Sequence, residues 1–367
     1  MILFITRKYP PSIGGMQRLS YELVAELRKL TDIFVISWGY SQVWLPFFVL
    51  YASVVAVFLL SRNRLRIKIV HLGDVVLSPM GVLLRFFFRV PISVNAHGLD
   101  VTFPNRFYQM LVILCLKRLD LIICNSESTK RECLKRGIPS CKCIVIPIGI
   151  REAEPLVDRV EAREIISSKT GRDLREKKLI ITVGRLVRRK GVACFIDEVL
   201  SKVVATNPDT VYLVVGKGPE YQGIQRVIYE RKLAEHVLLL GEVTDDVLAA
   251  VYASADLFVM PNLPVPNDSE GFGIVALEAS VAGLCVVASR LDGIMDAIIH
   301  GKNGFLVEPG DTDGLISIVS RLLSDIALRR EFGFAARNFT LTRFAWPNIA
   351  SLYVAEFQRL SKKAVLA

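Results

Sequence analysis

Residues 262–283 read NLPVPNDSEGFGIVALEASVAG, and this stretch decides how the rest of the chain is read. A loop rich in Pro and Asn leads to Glu270, then to Gly271-Phe272-Gly273, then to good helix formers over 274–282. That order predicts a loop opening onto a helix N-terminus. The first turn of a helix leaves about four backbone N–H groups unpaired and carries roughly half a positive charge, so glycines there let an anion come close. A phosphate is the natural guest. Glu270 stands ahead of the helix and Glu278 in its second turn, so each carboxylate can face a different end of a ligand whose phosphates lie between them. Carboxylates accept hydrogen bonds from vicinal hydroxyls, which ribose and hexose rings both supply. A nucleotide-sugar carries hydroxyls on both sides of a diphosphate.

Working outward, residues 256–260 predict the strand that feeds this loop, and the same strand-turn-helix unit recurs along the chain. Strand-like segments occur at 2–6, 32–37, 68–72, 92–96, 119–125, 143–147, 179–183, 211–215, 237–240 and 285–288. Amphipathic or turn-rich segments separate them, the alternation of an α/β protein with parallel sheets. At 367 residues the chain suits two domains of ordinary size. Residues 151–178 are rich in Arg, Glu, Asp and Lys, which predicts a linker with an exposed helix. The expected architecture is therefore two Rossmann-like, doubly wound domains facing a cleft, over 1–160 and 175–343. A closing amphipathic helix within 344–367 is expected to cross back to the first domain.

Several strand ends carry residues suited to a phosphorylated ligand. Gly14-Gly15 stand where the first strand hands over to the first helix, where backbone approaches a ligand in open sheets; a tight turn without ligand reads equally well there. His97 ends the strand 92–96, in the ligand crevice by the same rule, with Gly98 and Asp100 after it. Residues 184–191, GRLVRRKG, place Arg185, Arg188, Arg189 and Lys190 in six consecutive positions after a strand. They lack the Gly-Lys-Ser/Thr of a Walker loop, so the predicted role is neutralising a diphosphate, Arg as a planar fork and Lys as a point charge. Gly241-Glu242-Val243 end another strand. Asp311-Thr312-Asp313 imitates a metal-holding D-x-D, but ahead of an apolar-periodic helix it predicts an N-cap.

Residues 43–60, VWLPFFVLYASVVAVFLL, contain no charge, and Arg62, Arg64, Arg66 and Lys68 follow. Length and apolarity are those of a short transmembrane helix with a cytoplasmic basic flank. The run also lies between two predicted strands; if both join one sheet it is a crossover helix, the reading favoured here, with partial insertion of its outer side into a membrane surface. Residues 83–89, LLRFFFR, repeat the mixture of bulky apolar and basic groups, and together the two stretches suggest a monotopic face for a lipid-borne acceptor.

The apolar fraction of 52% and mean hydropathy of +0.41 are high for a soluble enzyme and agree with that face. A net charge of +10 suits nucleic acid, anionic lipid or phosphorylated substrates. No zinc-finger spacing, RNP-like aromatic run or basic low-complexity tail accompanies it, which argues against nucleic acid. Seven cysteines, odd in number and mostly in apolar runs, predict free thiols in a reducing compartment. The N-terminus enters directly on a strand-like ILFIT, so no signal peptide is expected.

Glu270 and Glu278 with GFGIVAL between them resemble the E-x7-E motif of glycosyltransferase family 4, and segments matching that family in order cover nearly the whole chain. The resemblance implies a GT-B fold and transfer from a nucleotide-sugar with retention of configuration. It implies that Arg185 and Lys190, in a G-R-x4-K-G segment, contact the donor phosphates, and that His97, in H-G-x-D, approaches the transferred sugar. Glu270 then orients that sugar, Glu278 holds the ribose, and Gly14, Gly15, Gly271, Phe272, Gly273, Ile274 and Val275 border the donor. The loop at Gly241, Glu242 and Val243 lines the base pocket largely through backbone, which leaves UDP- and GDP-linked donors both open. The family's usual Pro-Asn-Gly-hydrophobic-Asp is replaced by Pro147-Ile148-Gly149-Ile150-Arg151. The expected enzyme is a hexosyltransferase with no metal or other cofactor, acting on a lipid-linked or glycan acceptor, cytoplasmic and peripheral to the inner face of the plasma membrane. Two alternatives remain at this stage: a nucleotide-sugar epimerase of the same fold, and a non-catalytic nucleotide-sugar-binding protein.

Overall fold

A computed structural model describes residues 1–12, 14–40, 42–63, 65–152, 158–266, 268 and 270–366. The chain divides into two units, Met1–Gly149 with Phe344–Ala367 and Ile150–Arg343.

The first unit holds β1 (Ile2–Thr6), β2 (Ile33–Ser37), β3 (Ile69–Leu72), β4 (Ile92–Ala96), β5 (Leu121–Cys124) and β6 (Cys143–Val145) in one parallel sheet of order β2-β1-β3-β4-β5-β6. β1, β3, β4 and β5 are buried at every position, as expected of strands covered on both faces. Strand order reverses between β1 and β3, which opens a crevice beyond their carboxyl ends. The helices Leu45–Arg62, Ser78–Phe88 and Arg106–Leu116 share one core with Leu3, Ile5, Val70 and Leu72. The helices Gly15–Leu30 and Trp346–Leu366 share the core on the other face with Ile2, Phe4 and Ile69. Trp346 lies flat on Gly149, where an added Cβ would stand 2.3 Å from the indole.

The uncharged run proves to be a crossover. β2 and β3 both pair in parallel with β1, and Phe48, Ala52, Ala56 and Leu60 of the helix Leu45–Arg62 are buried against that sheet. A helix fixed to the sheet along one side cannot also leave to span a bilayer.

β3 brings His71 into the second core, its ring centroid 4.9 Å from Phe4 and 5.2 Å from Phe357, with Nδ1 2.8 Å from Ser93 Oγ. Burial, helped by His97, lowers its pKa from 6.5 to about 3. The folded protein therefore keeps this ring neutral where the unfolded chain protonates it. The stabilisation is complete above pH 6.5 and is lost as pH falls toward 3, on the order of 5 kcal/mol in total. Urea midpoints measured between pH 4 and 7 should fall more steeply with acid in the wild type than in His71→Gln; equal slopes would refute this.

The second unit holds β7 (Lys178–Val183), β8 (Thr210–Val215), β9 (Val237–Gly241), β10 (Leu257–Met260), β11 (Cys285–Ser289) and β12 (Phe305–Val307), again all parallel, in the order β12-β11-β10-β7-β8-β9. Here the order reverses between β7 and β10, so the loops after those two strands flank the crevice. β12 is three residues long and was not expected from the sequence, which offers too short a run to register as a strand.

One expectation is corrected. Within the stretch 151–178 that was expected to be a linker, the helix Arg159–Thr170 belongs to the second unit, packs on the helix Asp245–Ser254, and buries Ala162, Arg163 and Ile166, while residues 153–157 lie outside the described residues. Its arginines look solvated in composition but are drawn inward by one carboxylate. Asp256 accepts from Arg163 at 2.9 Å, Arg329 at 3.0 Å, Arg159 at 2.7 Å and the Leu179 backbone N–H at 2.8 Å. The division falls after Gly149, just ahead of the 151–178 stretch predicted from charge content and ahead of the expected domain edges at 160 and 175. Asp311 does cap the helix Thr312–Ser324, its Oδ1 accepting from the Gly314 N–H at 2.9 Å.

Candidate active site

The loops after β7 and β10 meet at the second unit's switch point. Gly191, at φ 65°, passes so near the β10 exit that a Cβ would lie 1.9 Å from the Pro261 carbonyl oxygen, so only glycine brings the basic turn Arg188–Lys190 this close. Lys190 is buried, and its Nζ lies 2.7 Å from Glu270 Oε2. Asn262 Nδ2 donates to the same oxygen at 2.6 Å, and Arg189 donates to it through Nη1 and to Asp268 through Nε at 3.0 Å. Burial alone would raise the Glu270 pKa, but the cations of Lys190 and Arg189 beside it hold it below the usual carboxylate range. Burial pushes Lys190 downward, with Glu270 opposing. Arg185 is exposed and has no side-chain partner among the described residues.

Beyond Glu270 the backbone is set by a second close approach. The Glu270 N–H donates to Asp292 Oδ2 at 3.0 Å, and a Cβ on Gly293 would stand 1.5 Å from the Gly271 carbonyl oxygen. Gly273, at φ 75°, turns the chain into the helix Ile274–Val281 without a side-chain cap. The Ala276 N–H folds back to the Gly273 carbonyl at 2.9 Å; among the described residues, the Ile274 and Val275 N–H groups have no acceptor. An uncapped helix start following the loop that pairs with a buried lysine has the donors and the charge to receive an anion. Phe272 is buried and anchors the turn. One helical turn past Ile274, Glu278 is half-buried and accepts from the Tyr252 hydroxyl at 3.0 Å. At the end of β9, the Gly241 carbonyl accepts from the Gly216 N–H at 2.8 Å, Glu242 pairs with Lys217 at 3.0 Å in solvent, and Val243 is half-buried.

In the first unit, Gly14 takes φ 153° and ψ 161°, a conformation open to glycine almost alone, and caps the helix Gly15–Leu30 through no side chain. Gly15 is exposed with open space around it. His97 follows β4 as the cap residue of a short helix; burial lowers its pKa, against the pull of Asp100, Asp74 and a hydrogen bond to the Gly73 backbone. Its Nδ1 is enclosed and has no partner among the described residues, and the same holds for Asp74 Oδ2 and Asp100 Oδ2. Arg7 at the end of β1 donates to Asp74 beyond β3 at 3.0 Å, bridging the switch point. A pocket beside it is lined by His97, Asn95, Asn125, Ser20, Tyr353 and Trp346.

Comparison with known proteins decides the family. Residues 13–154 match the family described as Glycosyltransferase Family 4, and residues 163–339 match Glycosyl transferases group 1. A GDP-mannose-dependent alpha-(1-6)-phosphatidylinositol monomannoside mannosyltransferase of Mycolicibacterium smegmatis is 28% identical over 94% of this chain and 95% of its own. A sulfoquinovosyl transferase of Arabidopsis thaliana is 35% identical over 77% of this chain and 55% of its own. The chain belongs to glycosyltransferase family 4. Among solved structures, the HepE protein of Anabaena, in complex with UDP and glucose, superposes with a TM-score of 0.74 at 20% identity, covering 98% of this chain and 99% of that one. A sucrose-phosphate synthase of Thermosynechococcus elongatus gives 0.75 at 21%, with 98% of each chain covered. The fold of this glycosyltransferase is accordingly GT-B.

Within the transferase, the structure joins Glu270 directly to Lys190 and places both beside the helix that carries Glu278. Gly14, Gly15 and His97 lie in the other unit. Sequence reading assigned no role to Asn262, Tyr252, Arg7 and Asp74, and counted Arg189 only among the cations for a diphosphate, not as a partner of Glu270. Arg189 and Asn262 were visible only as parts of a basic turn and a polar loop. Asp74 carried a usable signal: an acid two residues past the strand Ile69–Leu72, at a predicted sheet's carboxyl end.

Proposed function

We propose that this glycosyltransferase is a retaining hexosyltransferase that takes its sugar from a UDP- or GDP-linked donor and delivers it to a lipid-linked or glycan acceptor at the cytoplasmic face of the plasma membrane. The observation that carries the donor side is the uncapped helix start at Ile274, with buried Lys190 held 2.7 Å from Glu270 next to it. Departure of a nucleoside diphosphate builds negative charge on its phosphate oxygens. Fixed donors aimed at that charge lower the barrier, since they need no reorganisation during the reaction. Lys190 and the Ile274 and Val275 amides are the fixed donors, exposed Arg185 adds a more flexible one, and no divalent ion is required in this scheme.

Glu270 keeps Lys190 charged despite its burial until the phosphates provide a second anionic partner. The same carboxylate is assigned to the transferred hexose, with His97 approaching that sugar as the family resemblance implies. Glu278, oriented by Tyr252, takes the ribose hydroxyls. A lipid-borne acceptor is supported by the Mycolicibacterium smegmatis relative, whose name gives it a phosphatidylinositol monomannoside to act on.

Incubating the protein with UDP-glucose or GDP-mannose and a membrane lipid extract tests the reading. Release of nucleoside diphosphate together with labelled lipid is expected; conversion of donor without acceptor would make it an epimerase, and intact donor would make it a binding protein. Glu278→Ala should raise the donor KM about tenfold, because it removes a ground-state contact to the nucleoside, with Tyr252→Phe raising it less, because it removes only the hydroxyl that orients Glu278. An unchanged KM in both would remove the ribose assignment.

A further inference from the structure

The first unit leaves an apolar surface that neither core explains. On the helix Leu45–Arg62 the side away from the sheet exposes Phe47, Leu50, Tyr51, Val54 and Phe58, recurring at helical spacing, with Val43 82% and Trp44 53% exposed just ahead. The neighbouring helix Ser78–Phe88 exposes Leu83, Phe86 at 77% and Phe87 at 69%, and its own neighbour Arg106–Leu116 exposes Phe107 at 70% and Met110 at 58%. The buried sides of all three helices join one core on one face of the sheet, so their outer sides all face away from that sheet. Contiguous apolar surface spread over three adjacent helices is more than water-facing surfaces ordinarily carry.

Charge identifies what covers it. Between Asp32 and Asp120 the chain has nine lysines and arginines and only two acids, Asp74 and Asp100. Asp74 is buried on Arg7, and a carboxylate oxygen of Asp100 is enclosed, so the outer rim is cationic: Arg62, Arg66, Lys68 and Arg89 are exposed around the apolar helices, while Arg64 lies outside the described residues. A second copy of the chain would bring two such rims together, like charge on like. An anionic bilayer offers phosphate headgroups to the rim and acyl chains to the phenylalanines.

We infer that the outer face of the helices Leu45–Arg62, Ser78–Phe88 and Arg106–Leu116 is a monotopic docking surface that lies in the headgroup–acyl boundary of an anionic membrane. It extends the acceptor reading above to the surface that would meet the acceptor, and it is tested without donor or acceptor, so failure of one does not entail failure of the other. The full-length protein should float with phosphatidylglycerol-containing vesicles and remain at the bottom with phosphatidylcholine alone. Phe47→Asp/Val54→Asp and, separately, Phe86→Asp/Phe87→Asp should cut partitioning at least about tenfold while far-UV circular dichroism and Tm stay at wild-type values. Arg66→Glu/Lys68→Glu should weaken it by about fivefold or more per charge. Brominated acyl chains should quench the fluorescence lost in Trp44→Phe, and carbonate should release the bound protein. Wild-type protein that ignores anionic vesicles, or apolar-face variants that float undiminished, would overturn the assignment. So would a solution dimer that the same substitutions split, since the face would then belong to a second copy.

Discussion

Lys190→Met is expected to lower kcat by about 10²–10³-fold while changing the donor KM far less, the size of effect that follows removal of one preorganised donor from a developing anion. The side chain reaches its place across Gly184, whose added Cβ would stand 3.5 Å from Lys190 Cε, and it ends 2.7 Å from Glu270. Methionine keeps the aliphatic stem and removes only the charge. The local fold should survive, because Glu270 retains Asn262 and Arg189 as donors. Arg185→Ala, at an exposed position with a more flexible reach, should cost less than Lys190→Met, and Arg189→Ala should act through Glu270, showing in kcat only as far as that carboxylate shifts. Single-turnover kinetics with saturating donor would separate the chemical step from binding. A wild-type rate in Lys190→Met would end the assignment.

Asp256→Asn should destabilise the second unit by about 3–5 kcal/mol, the cost of leaving buried cations without their counter-charge. Arg163 and Arg329 both donate to this carboxylate from positions closed to water, and the loss removes a tie between three segments: the helix Arg159–Thr170, the start of β10 and the helix Ile326–Phe344. Other hydrogen bonds of these guanidiniums, to the carbonyls of Ser254, Leu174, Leu322 and Leu323, remain and hold the charges in place rather than freeing them. Arg159→Ala is the internal control: its side chain is 49% exposed, so its share should stay below about 1 kcal/mol. Equilibrium urea unfolding, followed through the shift in midpoint at constant m-value, reads both variants. Equal losses for the two would contradict the division between buried and exposed partners.

Much of the fold was legible because its elements are strongly patterned. β1 and β8 are almost wholly apolar runs followed by a polar or glycine turn, and such runs separated by helices leave little choice but a parallel sheet. The uncharged run around Phe47 was ambiguous in sequence because a crossover helix with an exposed apolar side and a membrane helix have the same composition; pairing of β2 and β3 with β1 decided it. The helix Arg159–Thr170 was misread for the opposite reason. Charge content predicts exposure only when each charge faces water, and Asp256 gathers two arginines from this helix and a third, Arg329, from far along the chain. At the candidate site, Glu270, Lys190 and the helix start were visible as residue types in the right places. Their direct pairing was not, since Lys190 and Glu270 come together only through the adjacency of β7 and β10.

The structure of the protein with a nucleoside-diphosphate hexose bound is the most direct test of how the leaving diphosphate is stabilised. Phosphate oxygens within hydrogen-bond distance of the Ile274 and Val275 amides and of Lys190 Nζ, with Arg185 turned onto the distal phosphate, are the predicted result. Phosphates bound away from the Ile274–Val281 helix start, or coordinated by a divalent cation, would contradict it.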